Sequence, residues 1–165
     1  MTNNRTYLPP ANPEKILPIL GKISVLHGFS EDQLRTVLAR LRSVSYGRGE
    51  FIFRQGESPT HIYVIERGRV KIIVDVDRTP MELVAYGVGR CFGETSAIGI
   101  LPHSASAIAT EDTDLIVLSR EALHGLYESD PKVFGLLILN IAREACRRLH
   151  RTDEILLHYA AARER

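Results

Sequence analysis

From Pro131 to Tyr159 nothing in the sequence breaks a helix strongly. Phe134, Ile138, Ile141, Ala145, Leu149, Thr152, Leu156 and Tyr159 recur at steps of three or four, which is the spacing of one helix face. Ser129-Asp130-Pro131 supplies a start, because proline is tolerated in a first turn. At about 1.5 Å per residue the rod is about 45 Å long. One small domain cannot cover a stripe of that length. The natural partner for the remainder is the same helix of a second subunit, and the competing arrangement is a helix folded back onto its own domain.

The preceding segments have a different rhythm. Residues 1–13 carry Pro9, Pro10 and Pro13 with little periodicity and read as an arm. Glu14 to Val25 suits a short helix, with Pro18 limiting its start. Ser30-Glu31-Asp32-Gln33 has the form of a capping box, and Leu34, Val37, Leu38 and Leu41 then share a face, predicting a helix that ends near Arg42. From Val44 to Ser119 the pattern is β. Phe51-Ile52-Phe53, Ile62 to Ile65, Val70 to Val76, Met81 to Tyr86, Ser104 to Ala109 and Leu115 to Leu118 read as strands. Glu66-Arg67-Gly68-Arg69 reads as the turn of a hairpin. Short strands at this spacing predict a mainly β fold with flanking helices, an antiparallel β jelly-roll barrel. Ser119 is a plausible cap for the helix that follows.

Bulk properties narrow the function classes. With 21 basic and 20 acidic residues the net charge is +1, without the basic excess of a nucleic-acid surface. Arg143, Arg147, Arg148 and Arg151 cluster late, and the expectation for them is a solvated helix face. Cys91 and Cys146 are too few and too far apart for a disulfide framework. No apolar run approaches the roughly 20 residues that span a bilayer, and no signal core opens the chain. A cytoplasmic protein without a membrane segment is expected.

One motif carries ligand chemistry. Phe92-Gly93-Glu94 is followed nine residues after Glu94 by His103-Ser104-Ala105. Gly93 has no Cβ and permits close backbone approach. A short helix after Glu94 would direct free N–H groups toward an anion, with hydroxyls of Thr95 and Ser96 in its first turn. Together with Phe51 to Glu57, Tyr63 to Gly68, Gly89 to Glu94, Asp130-Pro131 and Arg147-Arg148-Leu149-X-X-Thr152, in that order, the motif resembles the cyclic nucleotide-binding domains, in particular the catabolite activator branch. The resemblance implies an N-terminal arm (1–13), a cyclic nucleotide-binding-like β-barrel domain with N-terminal helices and a short cassette helix (14–130), and a long C-terminal dimerisation helix (131–165). It implies cyclic AMP or cyclic GMP as candidate ligand, with no cofactor required. Glu94 would accept from a ribose hydroxyl. Gly93, Thr95 and Ser104 would meet the phosphate, and Val70, Leu83 and Tyr86 would line the wall beside base and ribose. Thr152 and Asp153 would contact the purine, partly across the dimer.

The same resemblance places His103 where the family has an arginine. Arginine offers a permanently charged planar fork, whereas histidine has fewer donors and is only partly protonated near neutral pH. Three readings stay open: a pocket that no longer binds nucleotide, a protonated His103 that still pairs with phosphate, and a pocket that takes a different anionic ligand. The second predicts affinity that falls as pH rises through the histidine titration.

Other classes fit less well. The six histidines form no His-X-His, so no catalytic metal is expected. Tyr86-Gly87-Val88-Gly89 resembles the start of a dinucleotide fingerprint, but the third glycine is misplaced and no βαβ unit surrounds it. No nucleophile elbow or P-loop lysine occurs, so no catalytic residue is assigned. The chain reaches Arg165 directly after the long helix, leaving no room for a recognition helix, and direct nucleic-acid contact is not expected. The expected function is a non-enzymatic, homodimeric, ligand-sensing module for a downstream partner that the sequence does not name. The alternative is a dimeric scaffold with a vestigial pocket.

Overall fold

The structure, a computed structural model, describes residues 5–163, excluding the side chains of Ile155 and of 158–163. Tyr159, the last position of the expected stripe, lies outside the described side chains, as do residues 1–4 of the arm and the last two residues of the long helix's expected span. Five helices and eight strands are found among the described residues. They are α1 (Pro13–Leu20), α2 (Glu31–Leu38), β1 (Arg42–Tyr46), β2 (Phe51–Phe53), β3 (His61–Arg67), β4 (Val70–Val74), β5 (Met81–Tyr86), β6 (Cys91–Phe92), α3 (Glu94–Gly99), β7 (Ser106–Ala109), β8 (Thr113–Ser119), α4 (Arg120–Ser129) and α5 (Pro131–Arg163). Two four-stranded antiparallel sheets, ordered β1-β8-β3-β6 and β2-β7-β4-β5, form the jelly roll.

Strand alternation divides the core in two. On β3 and β8, Ile62, Val64, Ile116 and Leu118 pack against α1, α2, α4 and α5. The intervening Tyr63, Ile65, Leu115 and Val117 face the second sheet with Val70, Phe92 and Ala107. A two-residue period with both faces apolar is what a sheet covered on both sides requires.

Local signals act as the sequence leads one to expect. Ser30 and Gln33 form a reciprocal capping box. Ser119 Oγ accepts from the Ala122 amide, and Asp130 Oδ1 accepts from the Val133 amide. Two boundaries differ. Pro18 lies inside α1 rather than limiting its start, because Pro13 opens the helix and α1 ends two residues after Pro18. The second helix stops at Leu38, since Arg42 already pairs with Val117 in a strand.

The connection through Gly68 is not a hairpin. β3 pairs with β8 and β6, while β4 pairs with β7 and β5, so the chain crosses between sheets there. Gly68 has φ +92°, and a Cβ would stand 2.4 Å from Thr113 Oγ1 and 2.7 Å from the Asp112 carbonyl oxygen. Left-handed strain and overpacking together are expected to make Gly68→Ala about 3 kcal/mol less stable by urea denaturation. A loss under about 1 kcal/mol would show that this corner yields easily.

On α5 the face buried against the domain is Val133, Leu137, Asn140, Ile141, Glu144 and, in part, Arg148. Asn140 Nδ2 donates to the carbonyls of Val25 and His27, which fixes the helix to the 3-10 turn Ser24–Leu26. Of the expected stripe only Ile141 is fully buried; Phe134, Ile138 and Ala145 are partly covered. Leu149 and Leu156 remain 63% and 60% exposed. The barrel therefore takes a neighbouring face and leaves the distal stripe open.

Candidate functional site

β6 pairs with β3 through Phe92↔Tyr63 and then turns sharply into α3. Gly93 makes that turn at φ +78°, and a Cβ on it would stand 3.0 Å from the Tyr63 ring. A larger residue would be strained in backbone and crowded against an aromatic core. The turn carries Glu94 inward, where it is fully buried.

Arg148, reaching from α5, meets it. Its Nη1 donates to Glu94 Oε1 at 2.5 Å, and its Nη2 donates to the Cys91 carbonyl at 2.8 Å. Glu144, one turn earlier and also buried, accepts from Arg147 at 2.6 Å and lies 3.6 Å from Arg148 and 3.9 Å from Arg90. The guanidinium carbons of Arg90 and Arg148 each lie 5.6 Å from the Tyr86 ring centre. Three arginines and two buried carboxylates thus join α5, the β5–β6 connection and the start of α3.

Burial raises the Glu94 carboxyl above its ordinary range, and Arg148 only partly opposes this. At Glu144 burial also pushes upward, but hydrogen bonding from Arg147 and the Arg148 charge outweigh it and hold the group below its usual range. Glu94 Oε2 is buried and has no hydrogen-bond partner among the described residues. An unpaired buried carboxylate oxygen is costly, and a donor from a ligand would relieve it.

The other expected site residues are spread around this cluster. Tyr86 is half-buried beneath the arginines, with its ring 6.5 Å from Phe92. Val70 is completely buried in the inner core and pairs with Tyr86 and Ala109. Leu83 is 53% exposed on β5, an edge strand. Thr95, Ser104 and Asp153 are exposed, and Thr152 Oγ1 donates back to the Arg148 carbonyl at 3.0 Å within α5.

His103 is buried, with its ring flat on Phe53 at 3.7 Å and 7°. Its amide donates to the Glu57 carbonyl and its carbonyl accepts from Gly56. Burial lowers its pKa and the Glu57 charge opposes that shift, so its surroundings favour the neutral ring. A protonated His103 that pairs with phosphate would have to overcome this burial.

Sequence reasoning missed Arg148, together with Arg90 and Glu144. The expectation of a solvated arginine face is corrected for Arg148, which is partly buried and bound to Glu94. A usable signal was present: Val133, Leu137, Ile141, Glu144 and Arg148 recur at steps of three and four on the face turned to the barrel. Among the described residues no group of three or more His, Cys, Asp or Glu side chains is placed to hold a metal ion, and no helix is long and apolar enough to cross a membrane.

Comparisons with known proteins agree with this fold. The cyclic AMP receptor protein of Thermus thermophilus is 32% identical over 144 residues, covering 86% of this chain and 65% of that protein. Human cGMP-dependent protein kinase 2 is 27% identical over 140 residues, which are 18% of its length. The chain thus spans less than two thirds of these relatives. Among solved structures, a cyclic nucleotide-binding domain from Methylobacillus flagellatus superposes with a TM-score of 0.79 at 28% identity, covering 92% of this chain and 87% of that one. The Thermus thermophilus catabolite activator protein superposes with a TM-score of 0.72 at 30% identity, covering 81% and 61%. The sequence profile of the cyclic nucleotide-binding domain matches residues 43–130, from β1 to the end of α4. With the jelly roll, the Gly93-Glu94 turn and the α5 contact already described, this match makes the chain a member of the cyclic nucleotide-binding domain family, of the catabolite activator type.

Proposed function

We propose that the chain is a non-enzymatic regulatory module that binds a cyclic nucleotide weakly at the Gly93-Glu94 turn and passes occupancy to α5. The observation that carries this reading is Glu94 Oε2, a buried acceptor without a donor beside an arginine that belongs to α5. A ribose hydroxyl supplies such a donor. Ligand binding then bears on the Arg148–Glu94 pair, and so on the helix. The half-buried Tyr86 and exposed Leu83 offer apolar surface to the base.

His103 brings no fixed positive charge, and this favours weak binding over the tight binding expected of an arginine. The same observation supports a second reading, in which the pocket is vestigial and the chain serves as a dimeric scaffold. Calorimetric titration with cyclic AMP and cyclic GMP tests the proposal. Saturable heat, weakened about tenfold by Glu94→Gln, is the expected outcome. No heat at millimolar nucleotide would leave the scaffold.

The proposed output surface is α5 paired with a second copy. Ile138, Ala145 and Thr152 are spaced by seven, as are Ala142, Leu149 and Leu156, which is the seam spacing of a two-stranded coiled coil. The exposure of Leu149 and Leu156 leaves that seam free of the barrel. The double variant Leu149→Glu/Leu156→Glu is expected to sediment as a monomer with an unchanged fold. A persistent dimer would place the contact elsewhere.

A further inference from the structure

Residues 5–8 of the N-terminal arm lie along the free edge of β1, an outer strand of its sheet. Leu8 and Ser43 exchange backbone hydrogen bonds at 3.2 and 2.7 Å in a single antiparallel bridge. Pro9 and Pro10 follow, and without amide hydrogens they cannot extend that ladder. Arg5 makes a second attachment. Its Nη1 donates to the Ser45 carbonyl at 2.7 Å, its Nη2 lies 2.7 Å from Glu50, and its guanidinium carbon lies 4.1 Å from the Tyr46 ring centre. Tyr7 makes the third, with its half-buried ring stacked on His61 at 4.5 Å.

Each attachment is small. One bridge is far short of a strand of ordinary length, and a partly exposed ion pair contributes little in water. Docking of the arm is therefore a local equilibrium, with an opening energy well below that of the core.

What the arm docks against borders the nucleotide site. Tyr7 and His103 line one concavity of about 680 Å³, and His103 is the position that the family resemblance assigns to the phosphate. His61, beneath the Tyr7 ring, belongs to β3, and its carbonyl oxygen would stand 3.3 Å from a Cβ on Gly93. The Tyr63 ring would stand 3.0 Å from the same Cβ. His61 thus meets the arm through its ring and the Gly93 turn through its carbonyl. Arg5 and Glu50, by contrast, do not border the concavity.

We propose that the arm is a strap that regulates the nucleotide site. Docked, it closes the concavity at the Tyr7 side and braces β3 beneath the Gly93 turn; released, it opens the site and weakens binding. This rests on the nucleotide reading above. Tyr7 serves as a positioning residue, acting on the turn through His61. Coupling of this kind is reciprocal, so bound nucleotide holds the arm down by the same factor by which the docked arm tightens nucleotide.

Calorimetry with cyclic AMP on the full chain reads one side of the coupling, and amide hydrogen exchange at Leu8 and Ser43 reads the other. Arg5→Ala loosens the arm without altering any residue that lines the concavity. It is expected to weaken cyclic AMP binding about fivefold, the lower end of ordinary coupling. Tyr7→Ala, which removes the stack on His61, is expected to weaken it about tenfold or more, and Tyr7→Phe to restore most of the parent's affinity. Saturating cyclic AMP should slow exchange of the Leu8 and Ser43 amides in the parent by a similar factor, which a merely structural arm would not show. Melting temperatures of the ligand-free variants establish folding, and if Tyr7→Ala does not fold, Arg5→Ala decides. Nucleotide bound equally well by parent and variants, or exchange at Leu8 and Ser43 unmoved by saturating nucleotide, would overturn the strap and leave the nucleotide reading standing. A parent that binds no nucleotide would sink both.

Discussion

Arg148→Ala is expected to destabilise the protein by about 3 kcal/mol, at the low end of the usual cost of stripping the partner from a buried charge. The low end applies because Arg148 itself is 28% exposed, whereas Glu94 is completely buried. For a chain of this size that corresponds to a melting temperature lower by roughly 6–12 °C. Acidity should repair part of the loss. Burial raises the folded-state pKa of Glu94 and Arg148 opposes the rise, so removing Arg148 raises it further. A carboxyl whose folded pKa exceeds its unfolded one contributes stability below the ordinary carboxyl range and loses it as pH rises through the folded value. The gap between Arg148→Ala and the parent should therefore narrow between pH 7 and about pH 5. Replacing both partners, as Glu94→Leu/Arg148→Leu, should restore most of the stability, because Glu144 keeps Arg147 and no buried carboxylate is left without a partner. Thermal melts at the two pH values measure all three effects. A single-variant loss that is the same at both pH values would mean that the contact works through packing rather than charge.

His103→Arg is expected to tighten cyclic AMP binding by roughly ten- to several-hundred-fold, the gain from one or two charge-assisted hydrogen bonds. The native His103 lies flat on Phe53, where burial disfavours its charged form, so the substitution adds a permanent charge. Arginine also stacks on aromatic faces, which limits the cost of losing the imidazole. Calorimetry at pH 7, with melting temperatures to establish folding, reads the outcome. A folded variant with no gain would mean that the pocket has lost more than its anchor.

Much of the fold was legible because its signals are local. The Ser30–Gln33 capping box, the Asp130-Pro131 start of α5 and the alternation of β3 and β8 each depend on residues within a turn or a strand of one another. The error at Gly68 has the opposite origin. A tight turn between two β-branched runs reads as a hairpin, but which strands pair is decided by sheets assembled from distant segments, and there β3 chooses β8 rather than β4. The candidate site divides in the same way. Gly93 and Glu94 announce themselves through a tight turn into a helix, whereas Arg148 lies 54 residues beyond Glu94 and appears in sequence as one of a run of surface arginines.

By itself the sequence determined the family, the jelly-roll class, the long terminal helix and the position of the acidic turn. Each follows from short-range periodicity, capping and glycine placement, which need no knowledge of what lies opposite. Only the tertiary structure decided which face of α5 meets the barrel, that Arg148 closes on Glu94, and that His103 turns its ring onto Phe53, where burial disfavours its charge. These depend on burial and on partners brought together across the fold. Desolvation and pairing energies, unlike propensities, exist only once both surfaces are in place.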